Sequence, residues 1–440
     1  MRLRDSDAIN QNQGNGAARS LWAAVTKART PSPPIDSEVR ADVAIVGAGF
    51  TGLSTALSLV ERGRSVAVVE AAEVGYGASG RNSGQVIPTM SGIDPDDMAR
   101  LGGAAGERFV LLVRDSASSL FDLVRRNAID CEAEQSGWFQ PAHSPRRANL
   151  SARRVEAWAR RGAPVRLLDA NETRALIGSD FWHGGMLNTS GGHINPLALA
   201  RGLADRVAGK GGRIFERSPA LGIAQERRGW VVSTASGRII ADRVLIATNA
   251  YTDRFSDAVA PDLARDMIPV VTWQMATTTQ SDALRRDILP GRQAVSDTRG
   301  DLRFFRWDAR GRLITGGALI VPFAAQARLR RIVGARLAEA FPQMGIPEFD
   351  YVWSGRIGMT ADRMPRFHEM APGLFAWTAC NGRGIALSVA LGDVLARALD
   401  GADRRELPIP ITPVRPYPLH QMATFGAPLL LAHYRLRDRL

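Results

Sequence analysis

The chain has 440 residues, 45% hydrophobic and 23% charged, with a net charge of +12 that is almost wholly arginine, since Lys27 and Lys210 are its lysines. This is the composition of a soluble globular protein, long enough to bury two domains' worth of core. Cys131 and Cys380 supply neither a disulfide framework nor a metal site, which fits a reducing, cytoplasmic compartment, and no apolar run approaches the ~18 residues of a membrane span.

The basic excess raises the question of nucleic acid or a membrane surface. The arginines are scattered, however, apart from pairs such as Arg146-Arg147, Arg153-Arg154 and Arg330-Arg331. An arginine-biased composition with solvated helix faces accounts for them, with attraction of anionic substrates as the alternative. No nucleic-acid partner is expected.

In chain order, residues 1 to 18 are polar, lack the apolar stretch of a secretory signal, and are expected to be disordered. Ser20-Leu21-Trp22-Ala23-Ala24 is a short apolar anchor, and Pro31-Ser32-Pro33-Pro34 an extended linker. Next comes the segment around which the chain is organised. Val43 to Val46 read as a buried strand, and Gly47, Gly49 and Gly52 fall in the spacing G-x-G-x-x-G. Phe50, Leu53, Leu57 and Val60 then recur at helical spacing, Gly63 ends the helix, and a second apolar run closes on Glu70. A lone glycine triplet can be an ordinary turn. With strand, helix, second strand and terminal acid around it, it reads as a dinucleotide site. Gly47 makes the tight turn, Gly49 admits a pyrophosphate, Gly52 lets helix and strand approach, and Glu70 accepts bonds from ribose hydroxyls. The helix N-terminus offers free N–H groups to phosphates.

The loop from Gly75 to Gln85 is rich in glycine, hydroxyls and arginine, a donor-rich second contact for a ligand. Residues 95 to 127 are helical, with Phe109, Leu112, Val113, Leu120, Leu123 and Val124 on one face. Trp138-Phe139-Gln140 starts a strand, and Arg-rich helices follow at 144–162 and 170–177. This block interrupts the nucleotide fold. The chain returns at Gly191-Gly192-His193, continues through a helix at 196–209 and strands at 213–226 and 229–248, and ends that run in Ala247-Thr248-Asn249. A second antiparallel stretch alternates through Val271, Trp273 and Met275, with a hairpin of 302–307 and 312–318, then a helix at 324–340. Gly382-Arg383-Gly384 opens a last core helix. There is no internal repeat.

Together these segments resemble the flavoprotein amine and amino-acid oxidases of the D-amino-acid oxidase superfamily, most of all the γ-glutamylputrescine oxidase-like enzymes, from Ser20 to about residue 400. The motifs that carry the resemblance include Gly77-Ala78-Ser79-Gly80-Arg81-Asn82-Ser83-Gly84, Arg303-Phe304-Phe305-Arg306 before Gly316-Gly317, Trp353 to Asp362, and Asn381-Gly382-Arg383-Gly384. The resemblance implies an α/β fold, a Rossmann-like FAD-binding domain with an inserted antiparallel-sheet substrate domain. Its expected pieces are an arm at 1–39, an FAD domain at 40–94, 186–266 and 354–402, a substrate domain at 95–185 and 267–353, and a tail at 403–440.

It also implies where FAD is held. The first turn supplies Gly47, Ala48, Gly49, Phe50, Thr51 and Gly52, and the second strand end Glu70 and Ala71. The loop supplies Ala78, Ser79, Gly80, Arg81, Asn82, Ser83, Gly84 and Gln85. Ala220, Leu221, Ala247, Thr248, Asn249 and Gly358 follow, and the last motif adds Asn381, Gly382, Arg383, Gly384 and Ile385. Some relatives hold the flavin through a cysteine in the segment matching Arg356 to Thr360; this chain has none there, so FAD is expected to be non-covalent.

Catalysis by such a cofactor asks the protein for orientation and electrostatics rather than a triad. Arg306, Arg303, His193 and Trp273 are the candidates to position substrate, and no metal is expected. On a strand Arg303 and Arg306 point to opposite faces, and the resemblance favours Arg306 as the carboxylate-binding residue. A structural pairing with Asp308 is its other reading; His193 is either a satisfied polar residue or a substrate contact. Under the carboxylate reading, Arg306→Lys raises KM for an acidic amine while sparing a neutral one.

Many amino-acid oxidases of the superfamily carry Arg where Ile357 stands, which favours a longer amine here. The expected function is oxidation of a C–N bond of an amine or amino-acid-like substrate, with oxygen or a quinone as acceptor, by a monomer or homodimer. A dehydrogenase feeding a membrane quinone is the alternative, and from another class a protein with structural FAD and an arginine surface for a partner or RNA. The tail from Pro428 to Leu440, as a helix, gathers Leu429, Ala432, Leu436 and Leu440 on one side. It is expected to dock on the protein's own body or a dimer partner, with peripheral membrane contact as the alternative.

Overall fold

The computed structural model describes residues 20–438 except 257, 302 and 322, so the expected disorder of residues 1 to 18 lies outside the described residues. The strand Glu38–Val46 lies at the centre of the first sheet, because its apolar half is covered on both faces. It pairs in parallel with Val66–Val69 on one side and Arg238–Ile246 on the other, in the register Val46↔Val69 and Val46↔Ile246. Arg213–Phe215 and Leu374–Thr378 extend the parallel set outward, and Arg366–Ala371 closes one edge antiparallel. Parallel neighbours need a crossover, and the helix Phe50–Glu61 provides it between the first two strands.

That helix packs beside Pro196–Gly209 and Gly384–Leu399, and the interleaved Leu53, Leu57, Leu203, Leu391 and Leu395 are fully or almost fully buried. On the opposite side of the sheet, Trp230, Val232, Ile239 and Val244 form a second core under the antiparallel strands Gly222–Glu226 and Gly229–Ser233.

The second sheet runs in the order Phe349–Met359, Ile268–Thr277, Leu313–Gly317, Phe304–Trp307, Ala294–Ser296, Trp138–Pro141, Gly185–Asn188, Val165–Leu168. It is antiparallel except where Ala294–Ser296 meets Trp138–Pro141. One face buries Phe139, Trp182, Phe305 and Phe341 against the helix Ala325–Ala340.

The domain pieces expected from sequence shift in three places. The helix Gly106–Arg126, assigned to the substrate domain, buries Phe109, Val113, Leu120 and Phe121 in the core of the first sheet's helices. Its apolar stripe was legible, but not the partner that covers it. Gly185–Asn188 and the whole of Phe349–Met359 belong to the second sheet, so the boundaries at 185/186 and 353/354 fall within strands.

The N-terminal anchor forms a short helix, Leu21–Val25, capped by the Ser20 hydroxyl accepting from Ala23 N. Leu21 and Trp22 are fully buried, and the Trp22 indole N–H donates to the Asn82 carbonyl at 2.8 Å.

Candidate functional site

Where the central parallel strands end, the chain is stitched into one cradle. Gly47 has a φ of +108°, and its N–H donates to Val69 O at 2.8 Å, turning the chain out of the sheet. A Cβ on Gly52 would collide with the Gly47 carbonyl, so helix and strand approach this closely only with glycine there. The Ser79 hydroxyl accepts from Phe50 N at 2.9 Å, tying the loop to the helix N-terminus; otherwise no side chain caps that helix. The Glu70 carboxylate accepts from Ala48 N at 2.8 Å and Ala72 N at 3.0 Å. Each oxygen then holds one backbone donor and keeps a lone pair for a hydroxyl. Burial pushes the Glu70 carboxyl above its usual range.

Two further segments converge on this cradle. Asn249, left-handed at φ +47°, accepts from Ala379 N through Oδ1 at 3.0 Å. The Asn381 side chain accepts from Thr360 N at 2.9 Å and donates to the Ala379 carbonyl at 2.8 Å. Ala379, Asn381 and Gly382 all have positive φ, between +50° and +76°. This contorted turn delivers the chain to the helix Gly384–Leu399, whose first N–H groups lack a side-chain cap and face the cavity at Gly384 and Ile385. Their partial positive charge is placed to stabilise an anion.

The cavity occupies about 1650 Å³. It runs from Gly47 and Glu70 to Trp273, Gln274 and Phe304 on the second sheet. Small-molecule sites usually span roughly 300–1,000 Å³, so this one has room for an extended dinucleotide and a substrate together. Among the described residues, no histidine and no lysine lines it.

A family model described as "FAD dependent oxidoreductase" matches residues 42–398. The chain belongs to that family. It is 34% identical over 426 residues to the gamma-glutamylputrescine oxidoreductase of Escherichia coli K12, covering 96% of this chain and 98% of that protein. It is 31% identical to the probable oxidoreductase OrdL of Rhizobium meliloti, covering 96% and 97% of the two chains. Among solved structures, glycine oxidase from Geobacillus kaustophilus shares the fold with a TM-score of 0.69 at 23% identity, over 83% of this chain and 96% of its own. L-proline dehydrogenase from P. horikoshii does so with a TM-score of 0.68 at 18% identity, over 85% and 96%.

FAD is thus the cofactor, and the cradle fits it: glycines where a side chain would intrude, an acid at the second strand end, and two helix N-termini, at Phe50 and Gly384, on the cavity. The expected cofactor residues divide in two. Gly47, Ala48, Gly49, Phe50, Thr51, Glu70, Ala71, Ala78, Ser79, Arg81, Asn82, Ser83, Gln85, Ala220, Ala247, Thr248, Asn249 and Asn381 to Ile385 line the cavity. Gly52, Gly80, Gly84, Leu221 and Gly358 lie off its wall. Four of those five are glycines whose Cβ would strike a neighbour, Gly358 against Asn249 and Met267, Gly84 against Arg306, so they shape the cradle from behind; Leu221 is exposed. Arg81 and Asn82 also brace the loop: Arg81 Nε donates to Ser354 O at 2.6 Å, and Asn82 spans Ala78 O, Ser79 O and Gly84 N.

The substrate-positioning residues need larger corrections. Trp273 lines the cavity as expected, but Arg306, Arg303 and His193 do not. Arg306 is almost fully buried behind the loop, donating to the carbonyls of Ser83 at 2.7 Å, Ile194 at 2.8 Å and Trp307 at 3.0 Å. Its guanidinium lies 5.0 Å from the Trp22 ring centroid, and it is sealed from the cavity in which a substrate carboxylate would sit. Burial lowers it to about 10. Arg303 instead pairs with Glu339 at 2.8 Å. Strand alternation separated the two arginines correctly, but it could not show that the Ser83–Gly84 backbone closes over Arg306. Sequence also missed Arg147 and Arg154, read as solvated helix faces, which line the cavity. Their helical spacing i, i+7 was the available signal.

His193 is a satisfied core histidine. Its Nε2 bonds to Arg292 O at 3.0 Å, while Arg306 Nη1 stands 3.5 Å from Nδ1. With an arginine beside Nδ1, the proton belongs on Nε2. Burial, then Arg306 and Arg292, hold the imidazole well below 6.5 and keep it neutral. Glu134, 3.7 Å from Nε2, is engaged by Arg292. Unfolding lets the imidazole take up a proton below its ordinary pKa, so the unfolded chain binds more protons there and stability falls with pH. As the pH is lowered through the ordinary histidine range, His193 should therefore cost the fold progressively more stability. Chemical denaturation across that range should show this acid-sensitive part missing from His193→Asn; an unchanged slope would remove His193 as its source.

The tail helix spans His420–Arg437, longer than the sequence suggested, with Pro428 inside it. It docks on the protein's own body. Arg363 donates to the Tyr434 hydroxyl at 2.8 Å, Arg435 pairs with Asp301 at 2.6 Å, and Gly300 N donates to Asp438 at 2.6 Å. Ala423, Ala427, Leu431 and Tyr434 wall the cavity. Leu429, Ala432 and Leu436, expected with Leu440 to form the docking face, point outward instead, and Leu440 lies outside the described residues. Ending the chain at residue 418 should leave FAD bound but raise KM for the amine roughly tenfold, equivalent to ~1.4 kcal/mol, measurable by steady-state kinetics. An unchanged KM would show that the helix takes no part in holding substrate.

Proposed function

We propose that this enzyme oxidises a C–N bond of an amine or amino-acid-like substrate of the γ-glutamylputrescine type. The likeness to the Escherichia coli relative over nearly the whole of both chains supports that class. The observation that carries the reaction type is the single cavity joining the Glu70 cradle to the Trp273 wall without a histidine or lysine among its described lining residues. The aspartates on the wall, Asp94, Asp297 and Asp301, are each engaged by an arginine, which suits a reaction in which the protein only orients a neutral amine. Bound FAD supplies the two-electron acceptor for the hydride that leaves the carbon beside nitrogen, and water hydrolyses the resulting imine to an aldehyde or keto acid. Trp273 and Phe304 pack the substrate, and the tail helix limits access of bulk water.

FAD is held non-covalently in this reading. Cys380, the cysteine at the cavity, is buried, and burial raises its thiol above the usual range, away from the reactive thiolate. Acid precipitation should therefore release the flavin into the supernatant as FAD; yellow colour left in the pellet would overturn this. The reaction is tested by anaerobic mixing with γ-glutamyl polyamines, D-amino acids, sarcosine and proline. Bleaching of the flavin band by at least one of them is the expected result, and bleaching by none sinks the proposal.

A second reading, a dehydrogenase feeding a membrane quinone, is favoured by one observation. Met422, Phe425, Leu429 and Leu436 on the outer face of the tail helix are each at least 60% exposed beside the cavity. No helix among the described residues is long and apolar enough to cross a membrane, so contact would be peripheral. Oxygen uptake with peroxide release supports the cytoplasmic oxidase. Reduction of a soluble quinone with flotation on anionic vesicles supports the dehydrogenase.

A further inference from the structure

Arg383 stands at the N-cap of the helix Gly384–Leu399, but its side chain reaches away from that turn to the second sheet. Its guanidinium lies 5.3 Å from the Trp138 ring centroid, and Nη1 makes a long 3.4 Å contact with Ser296 Oγ. That hydroxyl already takes the Trp138 indole N–H at 2.8 Å. Nε has no partner, and the residue is only 7% exposed. Among the described residues, no carboxylate pairs with it. The charge that acts on it is Arg154, of like sign.

Other cavity arginines are held more fully: Arg81, also buried without a carboxylate among the described residues, gives Nε to the Ser354 carbonyl at 2.6 Å, and Arg363 donates to the Tyr434 hydroxyl at 2.8 Å. Arg154 is paired with Asp94 at 2.6 Å, Arg299 with Asp297, and Arg437 with Asp438 at 3.0 Å. Arg147, half-buried, keeps contact with water. A buried guanidinium without an anion is costly, because desolvation is repaid only by pairing and full hydrogen bonding. Burial pulls this one down to about 10. What it lacks must come from the cavity.

We propose that Arg383 is the anion-binding residue of the substrate site, taking the carboxylate of an acidic amine through its unused fork with Ser296 alongside. This rests on the amine-oxidation reading and narrows it: the substrate carries a carboxylate as well as the amine. It also accounts for Ile357, where many relatives carry Arg, since here Arg383 supplies the charge. The geometry suits a planar carboxylate, which the guanidinium fork binds through two parallel bonds.

The test uses holoenzyme and a non-reactive series, acetate to glutarate with the matching amides, titrated while the flavin absorption band is followed. Carboxylates should shift the band in the wild type and the amides should not. Arg383→Met should weaken carboxylate binding by one to two orders of magnitude, the scale of a lost bond to a charged group, with Arg383→Lys intermediate. Sulfite affinity of the flavin is measured in parallel. If sulfite binding collapses while carboxylate binding is unchanged, the charge serves the flavin and the proposal is wrong. If Arg383→Met does not retain FAD, the apoproteins are compared by thermal shift; glutarate should raise the midpoint of the wild type only, and an equal rise in both overturns the proposal. Bleaching by neutral and acidic amines with equal KM also overturns it while leaving amine oxidation standing. Carboxylate binding through Arg383 without bleaching by any amine does the reverse.

Discussion

Replacing Arg306 by methionine should destabilise the protein by about 3 kcal/mol or more and lower turnover of acidic and neutral amines equally. The guanidinium is sealed from the cavity, and its donors hold three carbonyls from three separate segments, Ser83, Ile194 and Trp307. Methionine would fill part of the space but leave those buried acceptors unpaired, each at a desolvation cost of ~1–3 kcal/mol. The bond to Ser83 and the stacking on Trp22 also hold the Gly77–Gln85 loop in place. FAD content should therefore fall along with stability. Lysine keeps the charge but cannot reach three carbonyls in the planar fork geometry, so Arg306→Lys should share the defect. Denaturant midpoints, flavin-to-protein ratio and KM for an acidic amine and its amide decide the matter. A normal melt with a KM defect confined to the acidic amine would restore the substrate role.

The second large effect separates two glycines of one turn. Gly52→Val should not yield folded protein, because its Cβ would overlap the Gly47 carbonyl and drive the helix Phe50–Glu61 off the strand. Gly49→Val should fold and be nearly colourless. At that site the added Cβ would meet only the Ser79 hydroxyl, at 2.9 Å, a side chain able to rotate away, while the branch enters the space needed by the pyrophosphate. A loss of two orders of magnitude in FAD affinity, about 2.7 kcal/mol, is expected. Circular dichroism and the flavin-to-protein ratio separate the outcomes. A yellow Gly49→Val protein would mean that the pyrophosphate does not pass over this turn.

The cofactor end of the protein was legible because its determinants are local. A strand, three glycines at fixed offsets, an amphipathic helix and an acid at the next strand end are all contained in residues 42–70, and the structure reproduces each of them. The alternation through Val271, Trp273 and Met275 likewise marked a strand but not its cavity side, since Ile268 to Gln274 all line the cavity while Met275 is buried in the core of the second sheet.

The substrate end was not legible in this way, and Arg306, His193, Arg383 and the tail helix show why. All three side chains are polar and nearly fully buried, but sequence does not say what buries them. Arg306 is closed off by a loop more than two hundred residues away in the chain, and His193 is completed by Arg292 and Arg306. Arg383 is left short of partners because the strands bearing Trp138 and Ser296 bring an aromatic ring and a hydroxyl to it, but no acid. The tail helix reversed its expected facing: Arg435 and Asp438 find Asp301 and Gly300, and Ala423, Ala427 and Leu431 turn to the cavity in place of the leucine stripe. The sequence by itself determined the dinucleotide turn, the alternating sheet and the family they belong to, all properties of short-range spacing. Only the tertiary structure decided that Arg306 is sealed off while Arg383 faces the cavity, because a buried charge is assigned by the partners that distant segments bring or fail to bring to it.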